Sequence, residues 1–253
     1  MTTLDLTPAT GAAARPRRVL RHALMEARLV ARNGEQLLLA LVIPVALMIG
    51  QAVAGSRFGI AREPFLASVL ALGLWSTGFT SLAVTTAFER RYGVLERLAA
   101  TPLRRVDLLA GKAVAFAVLA LGQGAVLATV AFLTGWAPRP SVGQTLVLLA
   151  AVPLALLAFS ALALALAGTA SAELTLALAN LIYLAGAVLG VILPPAGFPD
   201  WAQPAVALLP TTALADSLRT WALGGTDPLP LAVLTGWVIV GLALARKVFR
   251  WTS

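Results

Sequence analysis

The 253-residue sequence contains no cysteine and a single histidine, His22. That excludes a disulfide framework, a thiolate metal site and any histidine-cluster metal site. Charge is scarce as well: 12% of residues are Asp, Glu, Lys or Arg, against about 25% in an ordinary soluble domain. Apolar residues take up the difference, at 59% of the chain with a mean hydropathy of +0.89. So little charge cannot cover a globular surface of this size, so lipid must solvate much of it, and the same composition excludes disorder. The net charge of +8 comes from 19 basic against 11 acidic residues. These charges sit in blocks between apolar runs rather than on one soluble face, so no nucleic-acid partner is expected.

Crossing the hydrocarbon core takes about 20 apolar residues in a helix. Six stretches meet that length, at about 37–54, 64–88, 108–133, 142–168, 174–193 and 229–245. The expected fold class is therefore an all-α membrane protein with six transmembrane helices. Residues 1–14 are small and polar and read as a disordered tail, leaving 15–253 as a single transmembrane domain. The polar, basic lead before the first apolar stretch argues against a cleaved signal peptide. Arg15 to Gln36 carries Arg15, Arg17, Arg18, Arg21, Arg28 and Arg32, with Leu20, Leu24 and Ala27 at helical spacing between them. That pattern suits a basic amphipathic helix at the membrane surface. With six crossings, 15 basic residues fall on the side of the termini and four (Arg57, Arg62, Arg139, Arg219) on the other. Both termini are thus expected in the cytoplasm, with the 89–112 loop beside them and the 194–228 segment outside.

The spans are poor in chemistry. Gln51, Gln123, Asn180 and Tyr183 are their main larger polar residues, and each reads as an interhelical hydrogen-bonding group. Glu173 reads as a first-turn acid complementing its helix dipole. No span has an acid near its centre, which weakens an ion-coupled secondary transporter. The lone histidine lies outside the spans and no two acids share one, which weakens an intramembrane hydrolase. Gly111-Lys112 lacks the rest of a phosphate-binding loop: Val106 stands where the first Gly belongs and Ala113 where Ser or Thr belongs. Energy for any transport must come from another polypeptide.

The loop between the second and third spans runs Glu89-Arg-Arg-Tyr-Gly-Val-Leu-Glu-Arg-Leu-Ala-Ala-Thr-Pro-Leu-Arg-Arg105. On a helix, Tyr92, Leu95 and Leu98/Ala99 form an apolar stripe, with Arg90, Val94 and Arg97 on another side. Gly93 permits a bend. Thr101-Pro102 stops the helix and can start the next, Thr as cap and Pro at the first helical position. Leu95 and Leu98 would anchor this short helix under the membrane, leaving Glu96 and Arg97 toward a soluble partner.

This segment resembles the permease subunit of ABC-2 type ABC transporters. That family carries a pattern near E-[RK]-x-x-G-T-L-E-x-L-x-x-T-P here, then a Gly-Lys opening the third span. The matches are Glu89, Arg90, Gly93, Leu95, Glu96, Leu98, Thr101, Pro102, Gly111 and Lys112; Val94 replaces the usual Thr. The resemblance implies that the segment, Arg97 included, is a coupling helix contacting an ATPase subunit. It implies two ATPase copies, with ATP and magnesium bound on them and no cofactor in this chain. It also implies a second permease copy or a related permease.

The stretch from Leu193-Pro-Pro to Arg219 supports the same resemblance. Residues 201–223 are too apolar for a free loop and too broken by proline to cross. Thr211 or Thr212 can cap a helix ending at Gly224-Gly225, and Asp216 and Arg219 can pair on it at i,i+3. ABC-2 permeases have re-entrant external helices here, which implies an external gate containing Trp201, Pro210, Asp216 and Arg219. Gly186 and Gly190 form a G-x-x-x-G match: either a close-packed dimer interface, which the paired permeases of the family favour, or a chance spacing. The expectation from the whole reading is the permease of an ATP-driven exporter in a bacterial plasma membrane. Its cargo is expected to be an amphiphilic small molecule, drug or lipid. Lipid-linked polysaccharide export and a stand-alone secondary transporter are the alternatives.

Overall fold

The computed structural model describes residues 14–248 apart from 33, 102 and 226, with the backbone alone over 34–40. The expected tail therefore lies, but for Ala14, outside the described residues, and so does Pro102. Among the described residues there are no strands. The helices are α1 (Arg15–Arg32), α2 (Gly34–Ala54), α3 (Arg62–Trp75), α4 (Leu82–Arg91), α5 (Val94–Ala99) and α6 (Arg105–Leu133). They continue with α7 (Val142–Ala167), α8 (Ala172–Val188), α9 (Gln203–Ala207), α10 (Pro210–Leu223) and α11 (Leu229–Val248).

Five helical segments among the described residues are long and apolar enough to cross a membrane: Leu41–Phe58, Arg62–Arg91, Arg105–Leu133, Val142–Ala167 and Leu229–Val248. The sixth expected span is the shorter apolar helix α8. The sequence extends it to residue 193, but it stops at Val188. Leu189 turns to extended backbone and Gly190 takes a left-handed φ of +96°, which breaks the α-helical ladder. At 17 residues α8 is about 25 Å long, near the lower limit for spanning.

Arg62–Arg91 is the hub: its apolar 18-residue core is 78% buried, against 22% for Leu41–Phe58. Its α3 and α4 are joined by a π-helical turn, Ser76–Ser81. There Trp75 stacks on Phe79 at 4.3 Å and meets Phe159 of α7 edge-on at 4.6 Å. The Thr77 hydroxyl donates to the Gln123 side-chain carbonyl of α6, the interhelical bond expected of that glutamine. The other polar residues act locally. Gln51 donates to the Ile60 carbonyl at 3.2 Å in the loop after α2, and Asn180 to its own helix at Leu176, 2.9 Å.

Two packings deviate from an up-and-down bundle. α10 is inserted among α3, α7 and α11, and most of its residues are buried. α1 runs parallel beside α6: Arg15 meets Asp107, His22 lies against Gly111, and Glu26 meets Lys112. α6 has 29 residues, about 43 Å, so roughly two turns exceed a hydrocarbon core of about 30 Å. Its charged first turns are the ones α1 accompanies.

Candidate functional site

The end of the bundle carrying α5 is organised by one glycine and one leucine. Gly93 adopts φ +67°, turning the chain sharply after α4, and α5 follows for six residues. Leu95 is fully buried and Leu98 packs partly against the core, while Glu96 and Arg97 are exposed. That division of faces is the expected one for these four residues. Arg97 folds back to donate to the Tyr92 carbonyl at 3.1 Å, fixing the turn. The Thr101 hydroxyl donates to the Leu98 carbonyl at 2.6 Å and closes α5.

Three details differ from the sequence reading. Tyr92 is 64% exposed and does not join the apolar stripe, because the left-handed turn at Gly93 separates it from Leu95. Arg90 belongs to α4 and is buried; its guanidinium donates to the Ala170 carbonyl in the α7–α8 connection, away from Val94 and Arg97. α6 begins at Arg105 after an extended Arg104, so Thr101 ends a helix but does not cap the next. Beside Arg90, Arg91 pairs with Glu173 in the first turn of α8.

Glu89 turns inward instead, and here the structure reveals partners that sequence reasoning missed. Lys112 is fully buried on α6 and pairs with Glu89 of α4 and, at 3.0 Å, with Glu26 of α1. His22 stands 3.6 Å from Glu26. One turn back, buried Asp107 accepts from Arg15 at 2.6 Å and Arg18 at 3.1 Å. A lysine at this depth is stable only when paired, since isolated burial costs several kcal/mol and removing a partner about 3–5 kcal/mol. Gly111 lets the His22 ring lie against the α6 backbone, where any Cβ would overlap the ring. Burial pushes the His22 imidazole below its ordinary range; Glu26 opposes this and Lys112 adds to it. The ring is therefore neutral at physiological pH.

This arrangement adds a protein-facing side to the expected interfacial helix. Its polar residues His22 and Glu26 face the protein, while Leu20 and Leu24 face outward beside Arg17, Arg21 and Arg28. The outward leucines and arginines still suit a membrane interface, with the leucines toward acyl chains and the arginines toward phosphates. A signal for the inward face was present: Glu26 is the only acid between Arg15 and Arg32.

At the opposite end, Pro210 is the first residue of α10, following an extended Leu209. Thr211 and Thr212 thus lie inside the first turn, buried, and neither caps the helix. Gly224, at φ +92°, ends it where expected. Arg219 is the centre of this end. It donates to Asp216 at 2.7 Å, to the Gly190 carbonyl at 3.0 Å, to the Val191 carbonyl, and to Ser68 of α3 at 2.9 Å. The i,i+3 pair is thus present, within a larger clamp. Trp201 is 85% exposed and is not brought together with Pro210, Asp216 and Arg219.

Gly186 and Gly190 are used inside the chain. A Cβ at Gly186 would crowd Thr211 at 3.0 Å and the Trp75 ring at 3.2 Å, and one at Gly190 would overlap Thr212. Gly190 lies beyond the end of α8. The two glycines therefore share no continuous helical face, and both are close-packed within the chain. Beside Gly186 an apolar cavity of about 340 Å³ lies among Trp75, Phe79, Ile182, Pro210 and Trp237. Among the described residues no group of His, Cys, Asp and Glu could hold a metal ion.

A family model described as ABC-2 family transporter protein matches residues 36–247. No curated protein matches the chain.

Proposed function

The chain belongs to the ABC-2 family of transporter membrane proteins, whose permeases lack an ATPase domain and generally pair with ABC ATPase subunits, and from that premise we propose that it is the permease of an ATP-driven exporter. α5 is the contact for the ATPase. The observation that carries this reading is the anchoring of α5 by Leu95 with Glu96 and Arg97 turned outward, directly beside the buried Lys112 node.

The node gives the motion a route. A push on α5 acts on α4 through the Gly93 turn. Glu89 on α4 is joined through Lys112 to α6 and through Glu26 to α1, so the three helices move together rather than α5 swinging alone. α4 continues through the π turn into α3, and Ser68 on α3 reaches Arg219 of α10. Displacement at one end thus has a bonded path to the segment that closes the other. We read α8 as the sixth crossing: Glu173 at its start pairs beside α5, and the carbonyl of Gly190 past its end bonds Arg219. Both termini are then cytoplasmic, by the excess of basic residues on that side. The apolar lining of the cavity beside Gly186 favours an amphiphilic cargo.

Two variants test the reading with an ATPase present. Glu96→Lys should lose the ATPase on co-purification while inserting normally, because a reversed charge in a polar contact is repulsive. Leu95→Asp should release α5 from the protein core that holds it and uncouple hydrolysis from export. Normal export by Glu96→Lys in cells lacking a partner ATPase would overturn the proposal.

A further inference from the structure

A second cavity, of about 530 Å³, lies between α2, α3 and the stretch after α8. Its floor is buried and consists of Val69, Leu72, Ser68 and Arg219. Its rim is exposed and apolar, with Leu47 and Ile60 on one side and Ile192 and Leu223 on the other. Leu72 is ten residues into α3, about 15 Å from its start, so the cavity reaches roughly halfway through the hydrocarbon core. Among the described residues that line it, Arg219 carries the only charge.

We propose that this cavity binds an anionic amphiphile, its apolar body against Val69 and Leu72 and its acidic head on the Arg219 guanidinium. The apolar walls select an aliphatic body and reject a free inorganic anion. Arg219 selects the sign of the head: its Nη1 holds Asp216 at 2.7 Å, while its Nη2–H, now on Ser68, is a charged donor that an acidic oxygen accepts and a quaternary ammonium cannot. It has a contact to exchange: the Ser68 hydroxyl already donates to the Pro64 carbonyl at 2.8 Å, so Ser68 stays bonded when a ligand oxygen takes its place on Arg219. The carbonyls of Gly190 and Val191 and the Asp216 carboxylate remain on the guanidinium. Occupancy therefore loosens α10 from α3 while the clamp on the broken end of α8 holds. This inference goes beyond the permease reading and does not depend on it, since binding requires neither an ATPase nor transport.

The test uses the purified full chain in nanodiscs of zwitterionic lipid. Two photoactivatable probes share one dodecyl chain, one with a phosphate head and one with trimethylammonium, and labelled residues are mapped by mass spectrometry. The phosphate probe should label Val69, Leu72 or Ile192 at least about tenfold more than the cationic probe, the ratio expected of one charge-assisted hydrogen bond. Arg219→Gln should remove that preference. Ile60→Trp, on the exposed rim and thus safe for folding, should reduce labelling by both probes. Adding anionic phospholipid to the nanodisc separates two sources of the ligand. Competition identifies a bilayer lipid as occupant, and its absence a single-chain molecule; either leaves the site standing. Equal labelling by the two heads, labelling elsewhere only, or labelling unchanged in both variants would overturn it.

Discussion

Each end of the bundle closes around a buried cation, and the two cations do different work. Lys112 faces carboxylates that α1 and α4 supply, so at the α5 end separate helices are joined by side-chain charge. Arg219 faces mainly the carbonyls of Gly190 and Val191, which the end of α8 leaves without helical partners. The first is an attachment between helices that side-chain changes can dismantle and rebuild. The second satisfies buried backbone, where an unpaired carbonyl is costly. A charged set suits the push we propose for α5. A forked donor suits a stretch that must stay irregular without unravelling.

The largest test of this contrast is Lys112→Met. It leaves Glu26 and Glu89 facing each other without their cation and should cost about 3–5 kcal/mol, measured as thermal unfolding in detergent. Adding Glu26→Gln and Glu89→Gln should recover most of the loss, because a neutral set of similar volume needs no cation. Arg219→Met admits no such full rescue, since two of its four acceptors, the Gly190 and Val191 carbonyls, are main chain. Next, Gly190→Ala should cost about 1–3 kcal/mol, combining a strained positive φ with overlap on Thr212, and should loosen the 189–209 stretch to proteolysis. Arg219→Lys keeps the charge but loses the fork and should cost about 1–3 kcal/mol. If Lys serves as well as Arg, the clamp is electrostatic after all and the contrast fails.

Much of the α5 end was legible in sequence. The Gly93 turn, the inward Leu95 and the outward Glu96 follow from residue type and helical spacing alone. Glu89 and Lys112 were visible as matches to a family pattern but not as a pair; their contact spans 23 residues, and the link to Glu26 spans 86. Periodicity does not report such contacts. The leucine stripe of α1 was legible, but which face meets protein depends on α6 offering a charge. At the α10 end the Asp216–Arg219 spacing was correct, while the carbonyl acceptors arise only once α8 has broken. The intrachain packing of Gly186 and Gly190 was not legible, because a four-residue spacing looks the same whether or not the second glycine is still in the helix.

The smallest expected effect separates the ends by pH. Burial lowers the His22 pKa, so the docking of α1 is at full strength above the unfolded value near 6.5 and weakens as pH falls through the folded one. Burial raises the Asp216 pKa above its ordinary 3.8, with Arg219 opposing, so its contribution runs the other way: present in acid and lost as pH rises through the folded value. Hydrogen-exchange protection, corrected for the slower intrinsic exchange in acid, should therefore fall in α1 and not in α10 between pH 7 and 5.5, and His22→Asn should flatten the α1 response.

The central claim is that α5, and not the α10 end, receives the ATPase. The chain has no cysteine, so one introduced thiol is unique. Glu96→Cys and, as the control at the other end, Trp201→Cys should each be treated in native membranes with a thiol-specific photo-cross-linker, and the captured polypeptides assayed for ATP binding. The account predicts an ATP-binding polypeptide attached at residue 96 and none at residue 201. Capture at residue 201, or no ATP-binding polypeptide at residue 96, would contradict it.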